Sequence, residues 1–135
     1  MKQLQRVSLS IRSDRAGDGH YGAPRGQRTH RGVDYACEPH EPILSPVAGS
    51  VTKLGYPYGD DLQWRYVQIT DASGFNHRTF YVEPLVRVGQ RVEEDEPIGE
   101  AQDISQRYPA QGMKPHVHYE IKSGDGEYLN PEAAK

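Results

Sequence analysis

Apolar and polar residues alternate over several short stretches of the chain, as they do in strands that bury one face. The stretches span residues 7–11, 43–45, 50–54, 64–70, 78–82, 86–92, 97–101 and 114–122. No part of the chain shows a convincing helical period of apolar residues. The pattern therefore predicts an all-β domain, a compact antiparallel arrangement of short strands.

Turn-forming residues predict how some of these stretches pair. Pro46-Val-Ala-Gly49 lies between the second and third stretches, and Asp71-Ala-Ser-Gly74 lies between the fourth and fifth. Each predicts a hairpin, because Pro, Gly, Asp and Ser favour tight turns. Residues 14–29 are rich in Gly and Arg and have no strand or helix period, so we expect a long surface loop there. A second irregular loop is expected over residues 103–113.

Composition supports one β-rich domain and argues against some partners. The chain has 135 residues, enough for one hydrophobic core, so we predict a single domain over residues 1–135 with its core within about residues 7–122. Nine Tyr, 14 Gly and 10 Pro favour strands and turns. The net charge of −3 gives no electrostatic reason to expect a nucleic acid or an anionic membrane surface as partner.

The amino terminus lacks the apolar segment of a secretory signal, and no stretch is long enough to insert into a membrane. We therefore expect synthesis in the cytoplasm without an export route of its own. Cys37 is the single cysteine, so an internal disulfide is excluded. We interpret Cys37 as a buried structural thiol in preference to a zinc ligand or a nucleophile.

Histidines with an aspartate form the candidate reactive site. His116 and His118 project from one face of a strand, about 7 Å apart at their Cα atoms. His30-x-Gly-x-Asp34 offers an imidazole and a carboxylate on either side of a flexible Gly. Either His of the pair, together with His30 and Asp34, would make a His₂Asp zinc site with one open position, and the spare His would be left for proton transfer. The remaining histidines (His20, His40 and His77) are interpreted as ordinary satisfied polar side chains.

These motifs occur in an order that resembles the lysostaphin/LytM-type zinc endopeptidases, peptidase family M twenty-three. The shared motifs are His30-x-Gly-x-Asp34, the turn at residues 45–51, Phe80-Tyr81, the stretches 88–92 and 97–99, and Pro115-His-Val-His-Tyr-Glu120. The resemblance spans about residues 17–122. It implies the compact β fold of that family (the duplicated-hybrid-motif type), Zn²⁺ held by His30, Asp34 and His118, His116 as a catalytic histidine, and peptide cross-links of peptidoglycan as substrate.

The chain departs from the family at one catalytic position. Members commonly carry a second catalytic histidine two residues after the tyrosine of the Tyr-x-His-Leu motif, and here Glu83 stands there. A carboxylate can also act as a general base, so Glu83 is a second catalytic candidate. The departure, together with Arg12-x-Asp14-Arg15, is similar to the vertebrate chemotaxin branch, which keeps zinc but is regarded as non-proteolytic.

Two functions follow as expectations. The first is a zinc-dependent metalloendopeptidase that binds a peptidoglycan peptide through Tyr21, Tyr81 and Tyr108. Without a signal peptide it would reach the cell wall after release by another factor, as a bacteriophage lysis enzyme does. The alternative is a non-catalytic, zinc-containing binding module of the same fold. A biotinyl or lipoyl carrier is excluded, because Lys53 lies within a predicted strand and not at a hairpin tip.

Overall fold

The computed structural model describes residues 10–14, 17–25, 28–29, 31–108 and 112–131. The predicted ligand His30 and residues 7–9 of the first predicted strand therefore lie outside the described residues. Within the described part the chain is nearly all β, which confirms the predicted fold class. Its one short 3₁₀ helix, Ile104–Gln106, interrupts the expected irregular loop over residues 103–113.

The strands are short, as expected for a chain so rich in turn residues. They are β1 (Ser10–Ile11), β2 (Ser13–Asp14), β3 (Gly17–Asp18), β4 (Pro24–Arg25), β5 (Arg28–Thr29), β6 (Val33–Ala36), β7 (Pro42–Leu44), β8 (Gly49–Gly55), β9 (Tyr66–Thr70), β10 (Asn76–Phe80), β11 (Val82–Pro84), β12 (Arg91–Val92), β13 (Pro97–Ala101), β14 (His116–Lys122) and β15 (Tyr128–Leu129).

The largest sheet of the described residues runs in the order β1-β6-β14-β10-β9-β8-β12, and β15 pairs with β14. All pairings in it are antiparallel. Strand β14 lies inside the sheet between β6 and β10. The register places His118 opposite Asp34 on one side and opposite Phe80 on the other. Residues far apart in sequence are thereby aligned across three neighbouring strands.

A second sheet, in the order β11-β13-β7, shares its hydrophobic core with the first. Ile43, Val82 and Ile98 come from the second sheet, and each is fully buried. They pack in the same cluster as Val67 and Val117 of the large sheet. The core therefore joins the two sheets, and burial of these apolar side chains is the main term that holds them together.

The two predicted hairpins have different outcomes. Strands β9 and β10 pair around the turn at residues 71–74, as predicted. Strands β7 and β8 do not pair, so the predicted hairpin around Pro46 is wrong. Strand β7 pairs with β13 and β8 pairs with β9 and β12, because the chain crosses between the two sheets at this turn.

The segment predicted as a long surface loop contains two short ladders, β2 with β3 and β4 with β5. Gly19 and Ala23 are buried in this segment. The prediction of an unstructured surface loop is therefore wrong where this segment packs against the rest of the chain.

The interpretation of His77 as a satisfied polar side chain is confirmed, whereas the interpretation of Cys37 as a buried structural thiol is confirmed only in part. His77 is buried, and its ring nitrogens lie 2.7 Å from the Tyr119 hydroxyl and 2.8 Å from Asp71 Oδ2, so it is a satisfied polar side chain. Cys37 is half-buried and not fully buried. Burial and the nearby Glu41 and Glu38 raise the pKa of its thiol to about 12, which disfavours a thiolate nucleophile.

No helix among the described residues is long and apolar enough to cross a membrane.

Candidate metal centre

Strands β6 and β14 bring the predicted ligands Asp34 and His118 into contact. His118 Nδ1 lies 2.9 Å from Asp34 Oδ1, although the two residues are 84 positions apart in sequence. Asp34 is almost fully buried, at 4% exposed. Such a pair of donors, aimed at each other from adjacent strands, is an arrangement in which both could ligate one cation.

Glu120 buttresses His118 from the other side. The second ring nitrogen of His118, Nε2, lies 2.9 Å from Glu120 Oε1. Glu120 is itself buried and lies 3.5 Å from Arg78 Nη1 through its other oxygen. Histidines that bind metals usually donate their other N–H group to a carboxylate or a carbonyl, which fixes the ring. Glu120 is not among the residues predicted for the site from the sequence, although its i+2 spacing from His118 places it on the same strand face.

The charge state of His118 follows from these two carboxylates. Burial lowers the pKa of the imidazole, but hydrogen bonds to Asp34 and Glu120 outweigh burial and raise the pKa to about 9. Both ring nitrogens then donate, since a carboxylate oxygen can only accept. Nδ1 has to release its proton before it can serve as a ligand, so metal binding at this pair is coupled to proton release.

His116 occupies a different environment on the same face of β14. Its Nδ1 donates to the carbonyl oxygen of Lys114 at 2.9 Å, and its Nε2 lies 3.8 Å from Asp34 Oδ2. Burial lowers the pKa of His116, and the positive charge of Arg12 adds to the effect while Asp34 opposes it. A neutral His116 with its proton on Nδ1 has a free electron pair on Nε2, next to the candidate metal ligands.

Asp34 also has a cationic partner. Arg12, 3% exposed, directs Nε and Nη2 at Asp34 Oδ2 over 3.2 and 3.1 Å. Oδ1 of Asp34 thus faces His118, and Oδ2 is within hydrogen-bond distance of Arg12. From the sequence, Arg12 is expected to belong to a solvated face with the other basic residues near the start of the chain, and it also occurs in the motif that resembles the chemotaxin branch. The burial of Arg12 shows that the expectation of a solvated face is wrong for this residue.

The three tyrosines predicted to bind substrate do not all lie at the same place. Tyr81 packs edge-on against His116 with ring centroids 5.7 Å apart, and its hydroxyl lies 3.2 Å from that of Tyr58. Tyr108 donates to the Tyr58 hydroxyl at 2.9 Å. Tyr58 thus connects Tyr81 and Tyr108 beside the histidine, whereas Tyr21 is half-buried and packs against the hydrophobic core.

Tyr81 reaches His116 through an unusual backbone conformation. Its φ is +71°, a left-handed value that is uncommon for a bulky residue. The amides of Tyr81 and Val82 both donate to the carbonyl of Arg65, at 2.7 and 3.2 Å, as at a bulge. The irregularity separates β10 from β11 and lets the consecutive rings of Phe80 and Tyr81 contact His118 and His116, respectively.

Glu83 lies beyond this irregularity on β11. Its side chain is exposed, and its Cα pairs with that of Glu100 on β13. Tyr81 contacts the His116 ring, and the catalytic role of Glu83 stays a prediction.

Asp34 and His118 could be two ligands of one metal ion, and a third ligand is required. Over the described residues no group of three His, Cys, Asp or Glu side chains has the arrangement of a metal site. Two donors of one tetrahedral zinc ion lie about 3.3 Å apart. The 2.9 Å between His118 Nδ1 and Asp34 Oδ1 is close to that value. The contact between Asp34 and His118, the support of His118 by Glu120 and the burial of Asp34 therefore suit a metal ion. His30 is the residue predicted to complete the set of ligands.

Comparison with known proteins places the chain in a family. The model of Peptidase family M23 matches residues 28–131. Leukocyte cell-derived chemotaxin-2 of Mus musculus is 30% identical over 107 residues, which are 79% of this chain and 69% of that protein. An uncharacterized metalloprotease of Haemophilus influenzae is 31% identical over 111 residues, 80% of this chain but 21% of that protein.

Solved structures share the fold at lower identity. The catalytic domain of the prophage-encoded M23 protein EnpA from Enterococcus faecalis, in a mutant form, superimposes with a TM-score of 0.68 at 22% identity, over 92% of this chain and 89% of that one. The catalytic domain of the antimicrobial peptidase lysostaphin from Staphylococcus simulans superimposes with a TM-score of 0.64 at 20% identity. The match covers 87% of this chain and 86% of that one. The chain therefore belongs to peptidase family M23, and its domain is of the metallopeptidase type.

Proposed function

We propose that this protein is a zinc-dependent endopeptidase that hydrolyses peptide cross-links of bacterial peptidoglycan. The observation that carries the proposal is the contact of buried Asp34 with half-buried His118, which Glu120 also contacts, with the neutral imidazole of His116 beside them. The substrate class rests on the resemblance to the lysostaphin/LytM-type enzymes.

Each residue of the site has a defined task in this proposal. His30, Asp34 and His118 would hold the zinc ion, which when bound supplies a Lewis acid and an activated water. His116 Nε2 would accept a proton or a hydrogen bond at the reacting peptide group, as general acid–base catalysis requires. The hydroxyls of Tyr58, Tyr81 and Tyr108 would bind the peptide backbone, because each can donate as well as accept.

The alternative is a zinc-containing module that binds a peptide or a protein without cleaving it. The observation that favours it is Glu83, an exposed carboxylate at the position where the family commonly has a catalytic histidine. The 30% identity to a chemotaxin is consistent with this alternative.

Digestion of purified peptidoglycan by the zinc-loaded protein separates the two functions. We expect new amino-terminal groups and shortened cross-link peptides, identified by mass spectrometry. If Glu83 is a general base, Glu83→Gln should lower turnover by about 100-fold or more. Glu100→Gln is the matched control, since Glu100 is exposed and lies opposite Glu83 on the neighbouring strand.

Three outcomes of that digestion decide between the proposals. Equal turnover of wild type and Glu83→Gln would remove Glu83 from the mechanism and leave the peptidase function intact. No cleavage by wild type, with cleavage gained in Glu83→His, would establish the binding module. No cleavage by either protein, with retained binding of the peptide, would also contradict the peptidase function.

Gly32→Ala is expected to weaken zinc binding, because Gly32 packs directly against His118. A Cβ at this position would lie 2.4 Å from the Tyr119 carbonyl oxygen and 2.7 Å from His118 Cε1. The ring would have to turn away from Asp34 and Glu120. We expect about a 10- to 100-fold loss of zinc affinity, the usual range for displaced outer contacts. Competition with a chelator measures the zinc affinity. Gly59→Ala is the control and should leave the zinc affinity unchanged, because a Cβ at this position would have no atom within 4 Å.

A further inference from the structure

We propose that Arg12 is a positioning residue of the metal centre, which holds Asp34 so that this carboxylate offers only Oδ1 to the metal. The inference rests on the proposed zinc site and goes beyond it, because Arg12 precedes the part of the chain that the family model matches, residues 28–131.

The side-chain geometry separates the two oxygens of Asp34. Arg12 Nε and Nη2 both donate to Oδ2, at 3.2 and 3.1 Å, whereas His118 Nδ1 faces Oδ1 at 2.9 Å. Two donors from one planar guanidinium fix the rotation of the carboxylate more firmly than a single donor can. Without them Oδ2 would be a second donor to the metal or a partner for His116 Nε2, which lies 3.8 Å away.

The backbone holds Arg12 in this place independently of its side chain. The Arg12 amide donates to the Asp34 carbonyl at 2.6 Å, the Gly19 amide donates to the Arg12 carbonyl at 2.8 Å, and the Asp34 amide donates to the Gly19 carbonyl at 2.8 Å. These three residues form a closed set of hydrogen bonds at the strand that carries the ligand. Arg12 and Gly19 are therefore both attached directly to the strand that carries Asp34.

The lack of a side chain at Gly19 allows its close approach to Asp34. A Cβ at Gly19 would lie 2.8 Å from both Asp34 Cβ and the Asp34 carbonyl oxygen. Any side chain there would move Gly19 away from Asp34, and Arg12, which is hydrogen-bonded to Gly19, would move with it. The close packing and the burial of Arg12, 3% exposed, indicate that the Arg12–Asp34 contact is specified by the fold.

The charge of Arg12 has two opposite effects on a metal. A nearby cation repels the metal, but the two guanidinium donors also hold the Asp34 carboxylate in one orientation, and a buried carboxylate without a partner would turn to another donor. A fixed orientation is what a ligand needs, and the loss of comparable outer contacts typically costs metal affinity. We infer that positioning outweighs repulsion.

The test uses the full chain and measures zinc dissociation by competition with a chelator. Arg12→Met removes charge and donors at similar length, and we expect zinc to bind about 10- to 100-fold more weakly. Arg12→Lys keeps the charge with a single donor group and should recover part of the affinity. Arg65→Met is the control, because the Arg65 side chain contacts the Gly55 carbonyl and the Tyr56 ring. The backbone carbonyl of Arg65, which accepts from Tyr81 and Val82, is kept in this variant.

A second readout distinguishes positioning from a merely structural role. The visible absorption of the Co²⁺-loaded protein depends on coordination number. It should weaken in Arg12→Met if Asp34 then binds through both oxygens, while Gly19→Ala should change it in the same direction. Circular dichroism of each variant identifies any that fail to fold, in which case Arg12→Lys carries the test.

The outcomes separate this inference from the proposed function. If wild type binds no zinc, the proposed zinc enzyme fails. If wild type binds zinc and folded Arg12→Met binds it equally well with an unchanged Co²⁺ spectrum, Arg12 only docks the amino-terminal segment and the inference is overturned. Tighter zinc binding in Arg12→Met would also overturn it, since Arg12 would then compete with the metal.

Discussion

Asp34→Ala and His118→Ala should each reduce bound zinc from about one ion per chain to near zero. Each removes one of two donors that face each other at 2.9 Å, and a site left with fewer protein ligands loses the geometry that zinc requires. Peptidase activity should fall by roughly 1,000-fold or more, because the metal supplies several kcal/mol of transition-state stabilisation. Elemental analysis of protein purified without added metal measures the zinc.

The control for this result is His77→Gln. His77 is as buried as the site histidines and is hydrogen-bonded to Tyr119 and Asp71, so its replacement should lower thermal stability. It should leave the zinc content at wild-type level. If Asp34→Ala or His118→Ala kept full zinc content, the assignment of that residue as a ligand would be wrong.

His116→Gln is expected to keep zinc and to lose most of the activity. Gln can replace the hydrogen bond to the Lys114 carbonyl, but it cannot take up a proton near neutral pH as Nε2 of a neutral imidazole can. A positioned acid–base group typically contributes 10²- to 10⁴-fold, so we expect turnover to fall by about that factor with a much smaller change in KM.

Zinc content and activity measured on the same preparation check this expectation. Loss of zinc in folded His116→Gln would make His116 a ligand and not the proton-transfer residue. Unchanged turnover would show that neither role belongs to His116. In the binding-module alternative, His116→Gln would leave zinc in place and alter only the affinity for the peptide.

Local sequence patterns determined much of this protein. Alternating residues identified strand β14, and the same period placed His116 and His118 on one face. The turn at residues 71–74 gave the pairing of β9 with β10. These features depend on residues within a few positions of one another, so the backbone period and turn chemistry are sufficient to predict them.

The motif order identified the family and the fold, but it did not place the strands in sheets. The turn around Pro46 has the chemistry of a hairpin, yet its flanking strands join different sheets. Ile43 and Val51 are both buried in one core that is formed by both sheets. Which strand a segment pairs with is decided by how its apolar side chains pack with distant ones, and a local turn signal does not contain that information.

The tertiary structure alone decided how the site is supported. Register across β6, β14 and β10 set Asp34 against His118 and Phe80 against the same ring. No short stretch of the sequence predicts the burial of Glu120, the left-handed backbone of Tyr81 or the contact of Arg12 with Asp34. The sequence determined which donor groups are available, because residue type and spacing fix them. Long-range pairing and packing determined which groups orient them, because a buried charge is stable only where the fold supplies its partner.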